Sequence, residues 1–437
     1  VTDARAVVAL LAATAALAAG AFAWIYGAHL TYDDALPIRS DGAGYYVYLP
    51  AVLINGDLSL RTTGRREYGT PTLIPGVHRW GRTRPPRYID EYGIGVAVMT
   101  APFFLAASFI AVTTGAEADG YSWPYQALAA AAGCVYALLG LWLLAGVLRR
   151  FFARAVVLAT LAGVVFGGAL FQYATYDATL SHAFAFFLVA LVLRLSLALW
   201  ERPRTATVVG LAAAIGLVGL VRLTDLPVVI LPALVGIRRP HDLRLRVAAL
   251  ARHGRLVALG TAVFAAVMAP QLLYWHWVTG HFLVDAYPSG YGHLNLLAPH
   301  LLDVFFSVRK GLLYWTPLLL VAIAGLPLLR RAAPPLFVPA VAYLVVQTWI
   351  VASWSLWWYG GSFGMRALID VLPVFALGLA ALLDAASRTS PFARRALAVA
   401  VVATSLLTVH GMVAYWLKTI PIDHTTVGEY LHSFVHY

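Results

Sequence analysis

The chain has 437 residues, 61% of them hydrophobic and 12% charged, with a formal net charge of +11 and a mean hydropathy of +0.77. Soluble domains carry about a quarter charged residues, so these figures exclude a soluble globular protein and point to an integral membrane protein. The apolar stretches are continuous rather than alternating, which excludes a transmembrane β-barrel.

A membrane-spanning helix needs about 20 apolar residues. Apolar runs lie at 6–28, 93–113, 124–148, 155–175, 180–200, 206–221, 225–237, 256–276, 311–329, 336–353, 367–384 and 396–416. The first has a weak basic region and is long, so it reads as a retained helix rather than a cleaved signal peptide. Cys134 is the only cysteine and sits in an apolar run, so no intrachain disulfide forms. Every basic residue is arginine except Lys310 and Lys418. With the Ala/Val/Leu bias, this points to a GC-rich bacterial genome.

The arginines set the topology. Cytoplasmic loops of membrane proteins are rich in Lys and Arg. If all twelve runs crossed, the acidic linker 114–123 would lie inside and RRFFAR, 149–154, outside. The conflict vanishes if 93–113 does not cross but dips in or lies in the interface. Gly93, Gly95 and Pro102 suit such an interrupted helix. RRFFAR, ERPR (201–204), the 238–255 loop with six arginines, Arg330/Arg331 and the 388–395 loop then all fall inside. The expected fold is an all-α polytopic membrane protein, one domain over 1–437, with about eleven transmembrane helices. Residues 30–123 form a long first outer loop with interfacial or re-entrant segments. The expected location is the bacterial cytoplasmic (inner) membrane, multi-pass, with the site facing outside. The basic charge reports this topology, and no nucleic-acid partner is expected.

Every unusual polar cluster falls on the outer side. The first is RSDGAGYYVYLP, 39–50, with Asp41 ahead of Tyr45, Tyr46 and Tyr48. Tyrosines favour the water–lipid boundary, so the segment reads as a short helix lying flat on the membrane. Two roles are open for Asp41: a helix N-cap, or a general base facing a cavity. Composition alone favours the cap. The loop 61–92 then carries seven arginines and closes on Asp90 and Glu91, which are expected to pair with them. Those arginines suit a solvated face or anionic lipid headgroups.

In TYDATLSHAF, 175–184, Asp177 and His182 sit between two spanning runs, either as capping groups or facing a wet cavity. In VRLTDLP, 221–227, Arg222 and Asp225 are three apart beside Pro227. They either neutralise each other or mark an anion site at a broken helix. In FFSVRKGLLYWTP, 305–317, Arg309 and Lys310 start a run at its outer end, against the positive-inside rule. Snorkelling and phosphate binding both explain them; the second is favoured. In SWSLWWYGGSFGMRALID, 353–370, an aromatic belt explains Trp354, Trp357, Trp358 and Tyr359. It does not explain Gly360, Gly361 and Gly364 next to Arg366. Glycines allow backbone to approach a ligand closely, and aromatic faces suit sugar rings. No zinc, Walker or dinucleotide signature is present. No cofactor is expected, and a divalent metal is not indicated.

A multi-spanning chain with a carboxylate soon after its first helix resembles the C-superfamily (GT-C) glycosyltransferases. These include the protein O-mannosyltransferases and the aminoarabinose transferases of lipid A. RSDGAGYYVYLP looks like their first-loop motif, with Asp41 in the catalytic position and Gly42 where a second acid often follows. The family often has a basic residue before Pro-Pro near the end of this loop; here IDEYGIG, 89–95, takes that place. SDGAGYYVYLPAVL, SVRKGLLYWTP and WWYGGSFGMRALID also resemble a largely uncharacterised bacterial group within the superfamily.

The resemblance implies transfer of a sugar from a polyprenyl-phosphate donor to a hydroxyl of a cell-envelope glycan, lipid or protein, with inversion. Asp41 would be the general base. Arg309, Lys310, Arg222 and Arg366 would hold the donor phosphate. Tyr45, Asp177, His182, Trp357, Trp358 and Tyr359 would face the sugar and acceptor, with no metal site. Two rivals are a lipid-linked glycan flippase or transporter and a polysaccharide polymerase or ligase.

Overall fold

The computed structural model describes residues 2–287 and 292–435. Each of the twelve apolar runs folds as a helix or a broken helical segment. Among the described residues, eight helices are long and apolar enough to cross a membrane: Ala4–Gly27, Gly95–Thr114, Trp123–Leu148, His182–Glu201, Gly254–Thr279, Pro334–Ala352, Arg366–Ser387 and Pro391–Trp416. The protein is therefore an all-α polytopic membrane protein. Of the twelve apolar runs, four shorten or break, which leaves these eight; one of them, Gly95–Thr114, is the run that the expected eleven left out. The run at 155–175 widens into a π turn at Gly163–Gly167 and breaks at Ala169, whose φ is 61°. The run at 206–221 gives a helix of only 17 residues. The segment at 225–237 gives one short helix, Leu223–Leu234, wound as a 3₁₀ helix through Pro227, and Pro317 and Pro327 divide the one at 311–329. Proline removes a helical donor and clashes with the preceding turn, so these breaks follow from sequence.

In chain order, α1 is Thr2–Gly27, α2 Ser40–Leu53 and α3 Arg61–Tyr68. A hairpin of β1 (Val77–Trp80) and β2 (Arg87–Asp90) follows, antiparallel, with Val77 opposite Asp90. Next come α4 (Gly95–Thr114), α5 (Trp123–Leu148), α6 (Arg154–Ala162), α7 (Leu170–Ala174), α8 (His182–Glu201) and α9 (Thr205–Val221). After Ile230–Leu234 (α10) and Pro240–Arg252 (α11), α12 spans Gly254–Thr279.

Small residues let these helices approach closely, as is usual within membranes. On α5, a Cβ at Gly133 would overlap the Ala178 carbonyl, and one at Gly140 the Phe186 ring. The described molecule has two distinct ends. At one, Arg150 pairs with Glu201 at 2.6 Å, and Arg246 stacks on Trp200 at 3.5 Å while donating to the Pro232 carbonyl. This end holds the arginine-rich connections. At the other, α8 begins with His182 bonded to Asp370.

Contrary to the expected interruption, α4 is one unbroken 20-residue helix with Pro102 inside it. Both its ends nevertheless meet the end opposite the arginines. Before it, Gly93 presses on the Leu220 carbonyl at the end of α9. Beyond it, Gly120 packs on Pro50 and accepts a 2.7 Å hydrogen bond from the Tyr46 hydroxyl.

Three expectations for the first loop change. First, α2 starts at Ser40 with Arg39 as N-cap, and no side chain caps it, so Asp41 is not a cap. Second, the tyrosines do not lie along a lipid boundary. Tyr45, Tyr46 and Tyr48 are buried, packed on Tyr92, Phe104 and Tyr274 respectively. Tyr46 and Tyr48 belong to an apolar cluster under α2, the hairpin, α4 and α12, while Tyr45 joins the main helical core. Third, among the described residues no ion pair joins Asp90 or Glu91 to a loop arginine: the buried Asp90 accepts from the Tyr92 amide at 2.9 Å.

Candidate functional site

A cavity of about 280 Å³ opens where five parts of the chain converge. Asp41 and Tyr45 come from α2, Glu91 and Tyr92 from the turn after β2, and Arg222 and Thr224 from the segment after α9. Gln271 and Trp275 come from α12, with Tyr287 just beyond it, and Trp354, Tyr359, Gly360 and Arg366 from the aromatic–glycine segment.

Local structure places these groups. The second position of α2 turns the Asp41 carboxylate toward Arg366, whose Nη1 lies 2.6 Å from Oδ2. Arg366 opens a 3₁₀ turn, Arg366–Val371, after a loop with positive φ at Tyr359, Gly360 and Gly364. Of the three glycines there, Gly360 borders the cavity, while Gly361 faces Ile422 and Gly364 faces Trp315. Of these three, only Gly360 offers close backbone approach to a ligand.

At the end of α9 the backbone becomes extended at Arg222. Its Nε lies 3.2 Å from Asp370 Oδ2 and 3.6 Å from Asp225 Oδ2. The other Asp370 oxygen meets His182 Nδ1 at 2.9 Å, and Asp225 Oδ1 accepts from Gln347 at 2.7 Å. Below the cavity, then, is a buried polar network that fixes Arg222.

The two carboxylates on the wall differ electrically. Burial works against ionising Asp41, but the Arg366 charge and a hydrogen bond from Tyr92 hold its carboxyl below the usual value. Burial pushes Glu91 up to about 7; a Tyr92 hydrogen bond opposes the shift, and the Asp41 charge adds to it. Among the described residues, no cluster of three or more His, Cys, Asp or Glu is placed to hold a metal.

Five of the expected site residues meet at this cavity: Asp41, Tyr45, Arg222, Tyr359 and Arg366. The others lie elsewhere, for visible reasons. Asp177 accepts from Gln172 at 3.0 Å and pairs with Arg39 at 3.4 Å. His182 is buried behind Asp370. Arg309 makes a bidentate pair with Asp423, at 2.9 and 3.0 Å, and covers the Trp358 ring at 3.6 Å. Trp357 is buried and faces His300.

Lys310 is completely buried. Its ammonium donates to the Ser362 and Ile422 carbonyls, pinning the C-terminal segment to the glycine loop. A group so occupied is a structural tie, not a phosphate ligand. Lys310→Met is expected to lower stability by about 1.5–3 kcal/mol, the usual worth of a charge-assisted hydrogen bond. Thermal unfolding in detergent checks this. An unchanged melting temperature with weakened phosphate binding would restore the phosphate role.

Sequence reasoning missed Glu91, Tyr92, Gln271, Trp275, Tyr287 and Asp370 as site groups. Asp370 carried a usable signal, a carboxylate at the edge of an apolar run, which tends to be functional. Gln271 carried another: it is polar within a spanning helix, and its Oε1 accepts from the Ile94 amide at 2.8 Å.

The cavity can hold an anion against Arg222 and Arg366, a hydroxyl-bearing ring between aromatic walls, and a hydroxyl proton on a carboxylate. No protein-family model matches the chain, and no curated protein matches it in sequence.

Proposed function

We propose that this protein is a membrane glycosyltransferase of the GT-C type that takes a sugar from a polyprenyl-phosphate donor to an acceptor hydroxyl of the cell envelope. The observation that carries this reading is the meeting of Asp41, Arg366 and Arg222 on one aromatic-walled cavity. A volume of about 280 Å³ falls just below the usual span of ligand sites, about 300–1,000 Å³. That suits a monosaccharide and its phosphate, with the polyprenyl chain left in the bilayer.

The arginine-rich end is the cytoplasmic one by the positive-inside rule, so the cavity faces outside. In this reading eleven segments cross, and α4 lies at the outer surface. The packing of its first end beside the cavity, where Gly93 meets the Leu220 carbonyl, supports that placement.

In the reaction, the acceptor oxygen attacks the anomeric carbon from the face opposite the phosphate. The bond from that carbon to the phosphate oxygen breaks, its electron pair stays on the phosphate, and the configuration inverts. Arg222 and Arg366 are charged donors aimed where negative charge grows, the usual source of electrostatic catalysis. A wall carboxylate takes the acceptor's proton; the family resemblance assigns this to Asp41. A transporter has less support, because the ion-paired network of Arg222, Asp370 and His182 underlies the cavity.

A structure with bound polyprenyl phosphate tests the reading. The phosphate is expected within hydrogen-bond reach of Arg222 and Arg366. Phosphate at Arg309 instead, or a continuous polar path to the arginine-rich end, would overturn it.

A further inference from the structure

Two carboxylates border the cavity, Asp41 and Glu91, and their surroundings suit them to different work. Asp41 is committed: Arg366 lies 2.6 Å away, and the two side chains are only 20% and 14% exposed. A carboxylate so engaged must give up a strong contact before it can take a proton.

Glu91 has no such partner among the described residues: no ion pair joins its carboxylate to a cation, and its hydrogen bond comes from Tyr92. Its backbone is nonetheless fixed. Its amide donates to the Gly76 carbonyl at 3.0 Å, the paired strand β2 precedes it, and the Tyr92 amide is held by Asp90. The groups that face it electrically are Tyr92 beside it, Asp90 on β2, Asp41 on α2, Arg366 across the cavity and Tyr287 beyond α12.

The helix also explains why the second acid comes from here. Gly42, next to Asp41, packs so closely on Thr179 that a Cβ would overlap its hydroxyl. No acid fits at that position, and the hairpin supplies one instead.

We propose that Glu91, rather than Asp41, takes the proton from the acceptor hydroxyl, and that Asp41 positions Arg366 for the donor phosphate. This rests on the glycosyltransferase reading above. The proton passes from the acceptor oxygen to a Glu91 oxygen as the new glycosidic bond forms. The bond to the donor phosphate breaks, and the polyprenyl phosphate leaves with the electron pair. Glu91 becomes a neutral acid and later releases its proton to water. Its carboxyl, pushed up to about 7 by burial, is close to the pH where a general base works best.

The test uses the full chain in nanodiscs with synthetic polyprenyl-phosphate hexoses and pentoses. Binding of polyprenyl phosphate alone is the second readout. For wild type, kcat should fall below a pH of about 7, because the base must be ionised. Glu91→Gln should bind polyprenyl phosphate within about twofold of wild type, lose about 10²–10⁴-fold in kcat, and lose the pH limb. Glu91→Asp should recover part of the rate. Asp41→Asn should raise the donor KM and weaken polyprenyl-phosphate binding while keeping the limb. Glu91→Gln with the limb intact, or with wild-type kcat, overturns the assignment and leaves the glycosyltransferase reading standing. Wild-type protein that neither binds polyprenyl phosphate nor turns over any donor overturns that reading itself.

Discussion

Arg366→Ala is expected to abolish donor turnover and to destabilise the fold at once. Arg366 and Asp41 are both mostly buried. Removing one partner of a buried pair costs about 3–5 kcal/mol, because the remaining charge is stranded. The catalytic loss is separate: removing one preorganised donor to a developing oxyanion costs about 10²–10³-fold.

The double variant Arg366→Ala/Asp41→Asn separates the two effects. It should regain much of the lost stability, since no unpaired carboxylate remains, yet stay inactive. Arg366→Lys should fold but transfer poorly, because an ammonium lacks the planar fork of a guanidinium. Thermal unfolding and donor turnover on the same preparations check this. Wild-type turnover by Arg366→Ala would remove the arginine from the phosphate site.

The fold was legible where it rests on one strong requirement. Backbone in lipid must satisfy its own hydrogen bonds, so long apolar runs had to become helices, and all twelve did. Helix breaks were less legible. Proline explains the one at 317, but the π turn at Gly163–Gly167 has no comparable signal. Pro102 pulled the other way and failed to interrupt α4.

The site was half legible, because sequence shows a charge but not its partner. Arg309 and Lys310 looked like free cations at a helix start. Their partners, Asp423 and the Ile422 carbonyl, come from the far end of the chain. Glu91 looked like one more acid among arginines; only the hairpin and the packing of α2 bring it to the wall beside Asp41. Arg222 and Arg366, singled out in the sequence as cations, do border the cavity, while the Asp370 that anchors Arg222 was passed over.

Asp370 is the second place where one substitution should have a large effect. It is fully buried, and its two oxygens meet His182 at 2.9 Å and Arg222 at 3.2 Å. Asp370→Leu would strand the Arg222 cation with Asp225, 3.6 Å away, as its nearest counter-charge. The expected cost is about 3–5 kcal/mol, with a higher donor KM as Arg222 loses its orientation. Asp370→Asn keeps the shape and one good acceptor, enough for His182 or Arg222 but not both. It should therefore fall between wild type and leucine, losing about 1.5–3 kcal/mol, the worth of one charge-assisted hydrogen bond.

The order of the two variants carries the argument. A purely steric role would make the isosteric asparagine harmless. A purely electrostatic role would make asparagine and leucine equally damaging, because both remove the charge. Graded loss in melting temperature, matched by graded loss of polyprenyl-phosphate binding, is what a carboxylate holding two partners by both charge and geometry requires. Wild-type binding by a folded Asp370→Leu protein would show that Arg222 reaches its position without this anchor.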